Sequence, residues 1–397
     1  MGHVTPMLAV AAGLTGRGHD VRFLTGRQFG QRVASTGAAF VPLPPEADFD
    51  AGNLDAAFPG RAGLKGAKGI RFDIKEIFMR PGMAQYEAIQ ALLAERAADV
   101  VLAESLFMGA ALLLTEPPVR RPAVINCGIV PLSLASRDTA PFGLGISPMP
   151  GPAGRLRNRV LRTLTEKLVF GSVQSYADDV ARRISGAPYP AFFMDWPRLA
   201  DHIAQFTVPS FEYPRSDLPA TVHFVGPVSR GGRGGRGAPG GAAGTDLPGW
   251  WAELDGGRPV VHVTQGTVSN RNFGDLVRPA IEGLADDDVL VVVTNGGYGG
   301  VQFALQYGVP LVSAGETEDK AEVSARVAWS GCGINLRTNH AKPEAVAKAV
   351  RTVLSSPSYR EASGRIGSEI RASRGVDELA DLVESVSGGR RLPRGAA

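Results

Sequence analysis

A glycine-rich stretch near residue 300 is the part of the sequence whose composition most directly implies chemistry. Residues 294–300 read Thr-Asn-Gly-Gly-Tyr-Gly-Gly; they follow an apolar run at 289–293 and precede helical spacing at Val301, Ala304 and Leu305. A glycine loop between a strand and a helix exposes backbone N–H groups at the positive end of the helix dipole, which favours an anion such as phosphate. Glycine is required there because a Cβ would hold the phosphate away. The predicted anion-binding residues are Asn295, Gly296, Gly297, Gly299 and Gly300.

The spacing alone leaves a purely structural turn as an open alternative, because glycine-rich turns join strands to helices in many α/β proteins. No Lys follows the glycines, so the stretch is not a Walker A motif, and it fits the GxGxxG pattern only loosely. A second loop strengthens the binding interpretation: a Gly-Val-Pro turn and another apolar run lead to Asp319 and Lys320. Both loops are expected at the carboxyl edge of one sheet, where open α/β folds bind ligands.

Two residues of the first half have side chains suited to acid–base chemistry. His3 carries an imidazole, whose pKa near working pH allows it to accept a proton. Glu104 ends the apolar run 99–103, and a carboxylate at a strand end can accept the second imidazole N–H and stabilise the cation formed. From the residues alone, an exposed, inactive His3 and a solvated Glu104 remain the simpler interpretations.

The surrounding pattern predicts alternating strands and helices. Thr5-Pro6 reads as N-cap and first position of a helix that ends near Gly16, and residues 26–98 read as helices and loops, with a long mobile loop at 42–69. A Gly/Pro-rich loop at 139–152 is suited to contacting a substrate, and the basic helix after it is interpreted as a solvated face rather than a membrane or phosphate patch. Strands are predicted at 19–25, 99–103, 122–126, 204–209, 221–225, 259–264, 289–293, 311–314 and 333–336.

Length and composition indicate two domains. A chain of 397 residues exceeds what one hydrophobic core usually supports. The stretch 230–245 has too few apolar residues to repay its ordering entropy, so it reads as a flexible linker; an RNA-binding RGG segment is the disfavoured alternative, with only three arginines and no aromatics. We predict a first domain at 1–228, a linker at 229–246, a second domain at 247–387 and a disordered tail at 388–397.

Charge and cysteine content exclude several classes of protein. A net charge of +3 with dispersed arginines gives no case for nucleic acid. The two cysteines lie far apart without metal-ligand spacing, as expected of incidental thiols in a reducing compartment. No run of 18 apolar residues and no signal-peptide pattern is present, so we expect a cytoplasmic protein without an integral membrane segment. The oligomeric state is not specified.

Three segments carry a resemblance to a known family. Residues 294–320 resemble the donor-binding signature of GT-B glycosyltransferases of the macrolide and UDP-glycosyltransferase type (glycosyltransferase family 1-like), in which a Gly-Gly run leads to Gly-Val-Pro and then to an acidic residue paired with Gln or Lys. Residues 2–6 match the family's Gly-His-x-x-Pro, and 211–227 are close to its domain-end segment. The resemblance extends over about residues 2–387. It implies two facing Rossmann-like α/β domains with a cleft between them.

The resemblance also assigns roles. It implies an inverting transfer of a sugar from a UDP- or dTDP-sugar to a hydroxyl of a hydrophobic natural product of polyketide or macrolide type, as in antibiotic biosynthesis. His3 would be the general base and Glu104 its partner; Thr267 and the loop from Asn295 to Gly300 would meet the donor phosphates. Asp319 and Lys320 would meet the sugar. The expected partners are the donor and the acceptor, with no cofactor and no metal.

The sequence also departs from the family pattern. It begins in the loop that the family places after a first strand, so we hypothesise a start assigned too late. The second half lacks a stretch of at least one βαβ unit, roughly 30 residues. Asn295, Gly300 and Phe303 replace a phosphate-binding His, a hydroxyl and a ribose-binding Glu of many relatives. A degenerate, non-catalytic homologue that binds a small molecule or a partner is therefore the alternative; a nucleotide-sugar epimerase is disfavoured because Gly-His-x-x-Pro belongs to the acceptor-using branch.

Overall fold

The protein is an α/β structure in which every strand pairing of the described residues is parallel. The computed structural model describes residues 2–50, 52, 54–61, 63–64, 66–228, 253, 256–264, 272–294, 298–316 and 319–389. The predicted linker at 229–246 and most of the predicted tail lie outside these ranges. We use "first half" for residues 2–228 and "second half" for 253–389; the predicted domain boundaries themselves stay predictions.

Two parallel sheets form in the first half, as the apolar runs predict. Its strands are β1 (Arg22–Thr25), β2 (Ala39–Pro42), β3 (Val100–Glu104), β4 (Ala123–Gly128), β5 (His202–Gln205) and β6 (Val222–Phe224). β3 to β6 form one sheet in that order, and β1 and β2 form the other. The strand β4 is buried along its whole length because it has a strand on each side and both faces are covered.

Strand β2 corrects the expectation that residues 26–98 contain only helices and loops. Four residues ending in a proline are too short to give a clear period-two signal, and pairing with β1 is what makes the segment a strand. Among the described strands, β1 is paired only with β2, and β3 only with β4. No described strand therefore joins the two sheets to each other.

The helices of the first half cover both sheets. They are α1 (Val4–Gly16), α2 (Gly30–Ala34), α3 (Leu54–Ala57), α4 (Gly66–Phe72), α5 (Gly82–Glu95), α6 (Met108–Leu113), α7 (Gly151–Leu164) and α8 (Gly171–Ser185). Turns of π-helix lie at Asp73–Met79 and Thr165–Val169. The helix α1 begins at Val4, so the predicted N-cap at Thr5 is wrong: His3 occupies that position, and Pro6 falls in the first turn, where its missing N–H costs nothing.

In the second half, the four predicted strands are found close to their expected positions. They are β7 (Val260–Thr264), β8 (Leu290–Thr294), β9 (Leu311–Ser313) and β10 (Gly333–Asn335), paired β7 with β8 and β9 with β10. The helices are α9 (Val277–Gly283), α10 (Tyr298–Gln306), α11 (Lys320–Trp329), α12 (Pro343–Ser355), α13 (Pro357–Ala372) and α14 (Val376–Gly389). Residues 388–389 of the predicted tail are thus the end of α14.

Two segments pack across the two halves. Leu379, Ala380 and Val383 of α14 join the apolar cluster beneath α1 and β4. In exchange, Val208 and Phe211 of the first half lie in a cluster with α10, α11 and α13. The helix α14 therefore packs on the first half, and α13 contacts the first-half residues Val208 and Phe211.

Candidate functional site

His3 and Glu104 form a hydrogen-bonded pair between the start of α1 and the end of β3. The imidazole Nδ1 lies 2.9 Å from Glu104 Oε2. That same oxygen accepts the backbone N–H of Leu106 at 2.9 Å, so the turn after β3 fixes the carboxylate. The contact assigns the Nδ1–H tautomer to a neutral imidazole and leaves Nε2 without a proton. The His3 side chain is 42% exposed.

The surroundings of His3 make it a stronger base than a free imidazole. Burial opposes the cation, but the negative charge of Glu104, its hydrogen bond and the charge of Asp319 together outweigh burial and raise the pKa of His3. Two carboxylates, one from each half, therefore stabilise the protonated ring. A base of this kind can accept a proton from a hydroxyl and hold it while a bond forms elsewhere.

Asp319 comes from the second half and faces the same site. It occupies the N-cap position of α11, and its side chain makes no capping hydrogen bond. Burial raises the pKa of the Asp319 carboxyl, despite the opposing charges of His3 and Lys320. Lys320 is the first residue of α11, and its stem packs closely over Gly315, whose φ of +112° suits glycine. The charges of the predicted base and of the predicted sugar-binding carboxylate thus act on each other, although the two residues belong to different halves.

The structure describes only part of the predicted phosphate loop. Thr267, Asn295, Gly296 and Gly297 lie outside the described residues, and their roles stay predictions. Gly299 and Gly300 belong to the first turn of α10 rather than to a loop. Both are exposed, and no heavy atom of the described residues lies within 4 Å of the position a Cβ would take at either. First-turn N–H groups have no partner within their own helix, so this end of α10 offers donors beside open space.

Several neighbours of the site were not predicted from the sequence. The charge of Asp319 on His3 was missed because the two residues are far apart in the chain. Glu322 and Arg326 of α11 were missed as well; a charged pair with i, i+4 spacing normally indicates a solvated helix face, yet both are buried. Cys127 lies opposite Glu104 in the sheet register, where burial and then the Glu104 charge raise the pKa of its thiol. Burial therefore disfavours the thiolate, which is the reactive form of the side chain.

The parts of the chain that the structure describes contain no group of three or more His, Cys, Asp or Glu placed to hold a metal ion. None of the described helices has the length and apolar character needed to cross a lipid bilayer.

Both halves match known family models. Residues 1–116 match the glycosyltransferase family 28 N-terminal domain. Residues 286–386 match the C-terminal domain of proteins like erythromycin biosynthesis protein CIII. The first of these regions contains His3 and Glu104. The second contains Asp319 and the glycines of α10.

Individual proteins are similar over nearly the whole chain. The 4'-demethylrebeccamycin synthase of Lentzea aerocolonigenes is 40% identical, covering 97% of this chain and 97% of the relative. UDP-glycosyltransferase 2 of Phaeomoniella chlamydospora is 32% identical over 97% of this chain and 93% of its own length. The crystal structure of the kitacinnamycin glycosyltransferase superposes with a TM-score of 0.67 at 20% identity, covering 97% of this chain and 96% of the other.

The first of these alignments also bears on chain length. It runs over 425 positions, 28 more than the 397 residues of this chain, so at least that many positions of the relative have no counterpart here.

Proposed function

The chain belongs to the GT-B glycosyltransferases that use nucleotide sugars, and we propose that it transfers a sugar from a UDP- or dTDP-sugar to a hydroxyl of a hydrophobic natural product. One observation carries the proposal: His3 Nδ1 lies 2.9 Å from Glu104 Oε2, and Asp319 of the second half is near enough for its charge to raise the pKa of His3. A polyketide or macrolide-like acceptor is the proposed class. The 40% identity to a 4'-demethylrebeccamycin synthase supports a natural product as the acceptor.

The chemistry follows from what each group can do. His3 Nε2 takes the proton of the acceptor hydroxyl, while Glu104 holds Nδ1–H and stabilises the imidazolium. The hydroxyl oxygen bonds to the anomeric carbon from the face opposite the diphosphate. The bond from that carbon to the phosphate oxygen breaks, and its electron pair leaves with the nucleoside diphosphate. The sugar configuration is therefore inverted.

The second half supplies the groups that hold the donor. Amide N–H groups at the start of α10, with Thr267 and the residues from Asn295 to Gly297, stabilise the charge on the departing diphosphate. Asp319 accepts hydroxyl groups of the sugar, and Lys320 adds a donor and a positive charge. In this proposal the helix end performs the role that a metal has in other transferases, so chelators should not lower the rate.

Titration calorimetry with UDP- and dTDP-sugars tests the donor site. We expect micromolar binding that is lost in Asn295→Asp, because a carboxylate repels phosphate, and kept in His3→Ala. Product detection by mass spectrometry, with a panel of macrolide and polyketide aglycones, then tests transfer, which His3→Ala should abolish. Absence of both binding and transfer from a cooperatively folded protein would instead support the non-catalytic alternative, which the missing segment favours.

A further inference from the structure

A buried cluster of charged side chains joins the two halves beside the site. Arg326 of α11 and Glu212 of the first half each have side chains only 1% exposed. Glu212 Oε2 lies 3.0 Å from Arg326 Nε and 2.9 Å from a terminal nitrogen of the same guanidinium. The other terminal nitrogen lies 2.7 Å from Glu322 Oε2, one turn earlier on α11. Buried charges need such partners, so Arg326 fixes both carboxylates.

The second oxygen of Glu322 holds a loop of the first half. Glu322 Oε1 accepts the backbone N–H groups of Gly143 and Gly145, each at 2.9 Å. Both glycines have left-handed backbone, with φ of +96° and +61°. They belong to the segment between 139 and the start of α7, which we call the acceptor loop because its composition predicts contact with the acceptor. One carboxylate thus joins this loop to the buried arginine.

The acceptor loop lies directly on the first turn of α11. A Cβ on Gly145 would come within 2.9 Å of the carbonyl oxygen of Ala321, so no larger residue fits. Ala321 is two positions after Asp319, whose charge acts on His3. The helix α7 also holds the loop: Arg157 donates to the Ser147 carbonyl at 3.2 Å, and Arg155 pairs at 3.0 Å with Asp138, the residue immediately before the loop. The loop is therefore held between α7 and the turn that carries Asp319.

We propose that Glu322 is a positioning residue for the acceptor. It holds the acceptor loop in a fixed position relative to the sugar that Asp319 binds. This inference rests on the proposed function, which identifies the molecule that the loop contacts as the acceptor. Glu322 touches no reacting atom; it acts through Gly143 and Gly145. Arg326 and Glu212 set its position, because the guanidinium uses one Glu322 oxygen and directs the other at the loop.

The role of Glu322 can be separated from that of the interdomain contact. The two contacts of Arg326 to Glu212 do not involve Glu322, and Glu212 also accepts the N–H of Leu132 on its other oxygen at 2.8 Å. Loss of the Glu322 side chain should therefore release the loop while the halves stay joined. This distinguishes a positioning role from general stability.

The test compares Glu322→Ala with Glu322→Gln and with Glu344→Ala. Glu344 is a matched control, because it is an exposed glutamate in the first turn of α12. Hydrogen exchange of the peptide covering 139–150 should become at least roughly tenfold faster in Glu322→Ala, since two amide hydrogen bonds to a charged group are lost. Glutamine has only one oxygen, so its NH2 group must face either Arg326 or the two glycine N–H groups, and it should restore only part of the protection; the control should match the wild type.

Kinetics then separate positioning from folding. With a UDP- or dTDP-sugar and an aglycone turned over by the wild type, Glu322→Ala should raise the acceptor KM roughly tenfold or more and leave the donor KM unchanged. Unchanged exchange in the loop, or an equal rise in both KM values, would overturn the proposal. If Glu322→Ala speeds exchange in the loop but the wild type transfers no sugar, the proposed function is refuted and the contact between Glu322 and the loop is not.

Discussion

At the scale of single residues, the environment of His3 is set by opposing electrostatic effects. The residue lies at the amino end of α1, where the helix dipole disfavours a positive charge. Burial acts in the same direction, yet Glu104 and Asp319 outweigh it and raise the His3 pKa. The site thus favours the protonated ring that forms when a hydroxyl is deprotonated. Each carboxylate can be tested separately, because only Asp319 is expected to touch the donor.

Replacement of Glu104 by Gln should lower the His3 pKa and the rate. The amide keeps the size of the side chain but removes the charge that raises the pKa. The rate requires neutral His3 and falls as the pH drops through its pKa; the acid limb of kcat/KM should therefore move to lower pH in the variant. We expect a loss of roughly a hundredfold in kcat/KM, with donor affinity unchanged. Glu95→Gln, at the exposed end of α5, is the control, and an unmoved acid limb would contradict the pairing.

Asp319→Asn should produce a related but distinguishable effect. The acid limb should again move to lower pH, because the Asp319 charge also raises the His3 pKa. In addition, the donor KM should rise roughly tenfold, since a neutral amide binds sugar hydroxyls less strongly than a carboxylate does. Calorimetry with the donor sugar measures this second effect directly. A change in pH dependence without loss of donor affinity would exclude Asp319 from sugar binding.

At the scale of elements, the amino ends of two helices of the second half form the proposed donor side of the site. The helix α10 presents two exposed glycines in its first turn, and α11 presents Asp319. Glycine is a poor helix former, so two of them in a helical turn reduce stability. The open space beside them gives a physical reason for their presence, since a Cβ there would lie where a ligand approaches.

Gly300→Ala is therefore expected to change stability and affinity in opposite directions. Its backbone is helical, and no described atom obstructs a Cβ. Unfolding in denaturant should show that the free energy of unfolding rises by up to about 1 kcal/mol, because alanine has a higher helix propensity than glycine. Calorimetry should show weaker binding of UDP and dTDP, because the added methyl group occupies the approach to the first-turn amides. Gain of stability with unchanged nucleotide affinity would place the diphosphate elsewhere.

At the scale of the whole molecule, the halves are joined by exchanged segments and by the buried cluster around Arg326. Val208 and Phe211 lie among residues of the second half, while α14 lies against α1. Burial disfavours the Arg326 cation, but the charges of Glu212 and Glu322 outweigh this and raise its pKa. The relative position of His3 and Asp319 depends on these contacts, because the two residues belong to different halves.

Arg326→Met should lower the free energy of unfolding strongly. The substitution leaves Glu212 and Glu322 buried without their shared cation, for which a loss of about 3–5 kcal/mol is typical. Chemical denaturation monitored by Trp fluorescence measures it. Arg351→Met removes an exposed pair with Asp287 and should leave the midpoint unchanged. A small effect of Arg326→Met would mean that water reaches the two carboxylates.

The sequence by itself determined the α/β class and the four strands of the second half. It also determined that the residues with reactive or binding side chains lie at the ends of helices and strands. Those features depend on the spacing of apolar residues and on glycine and proline, which act over a few neighbouring positions. Short β2, the start of α1 at Val4 and the helical state of Gly299 and Gly300 were missed because pairing and packing, not local propensity, decide them. Only the tertiary structure decided that Asp319 acts on His3 and that Glu322 holds Gly143 and Gly145. Such contacts join residues of different halves, and their energies depend on burial and distance, which spacing along the chain does not contain.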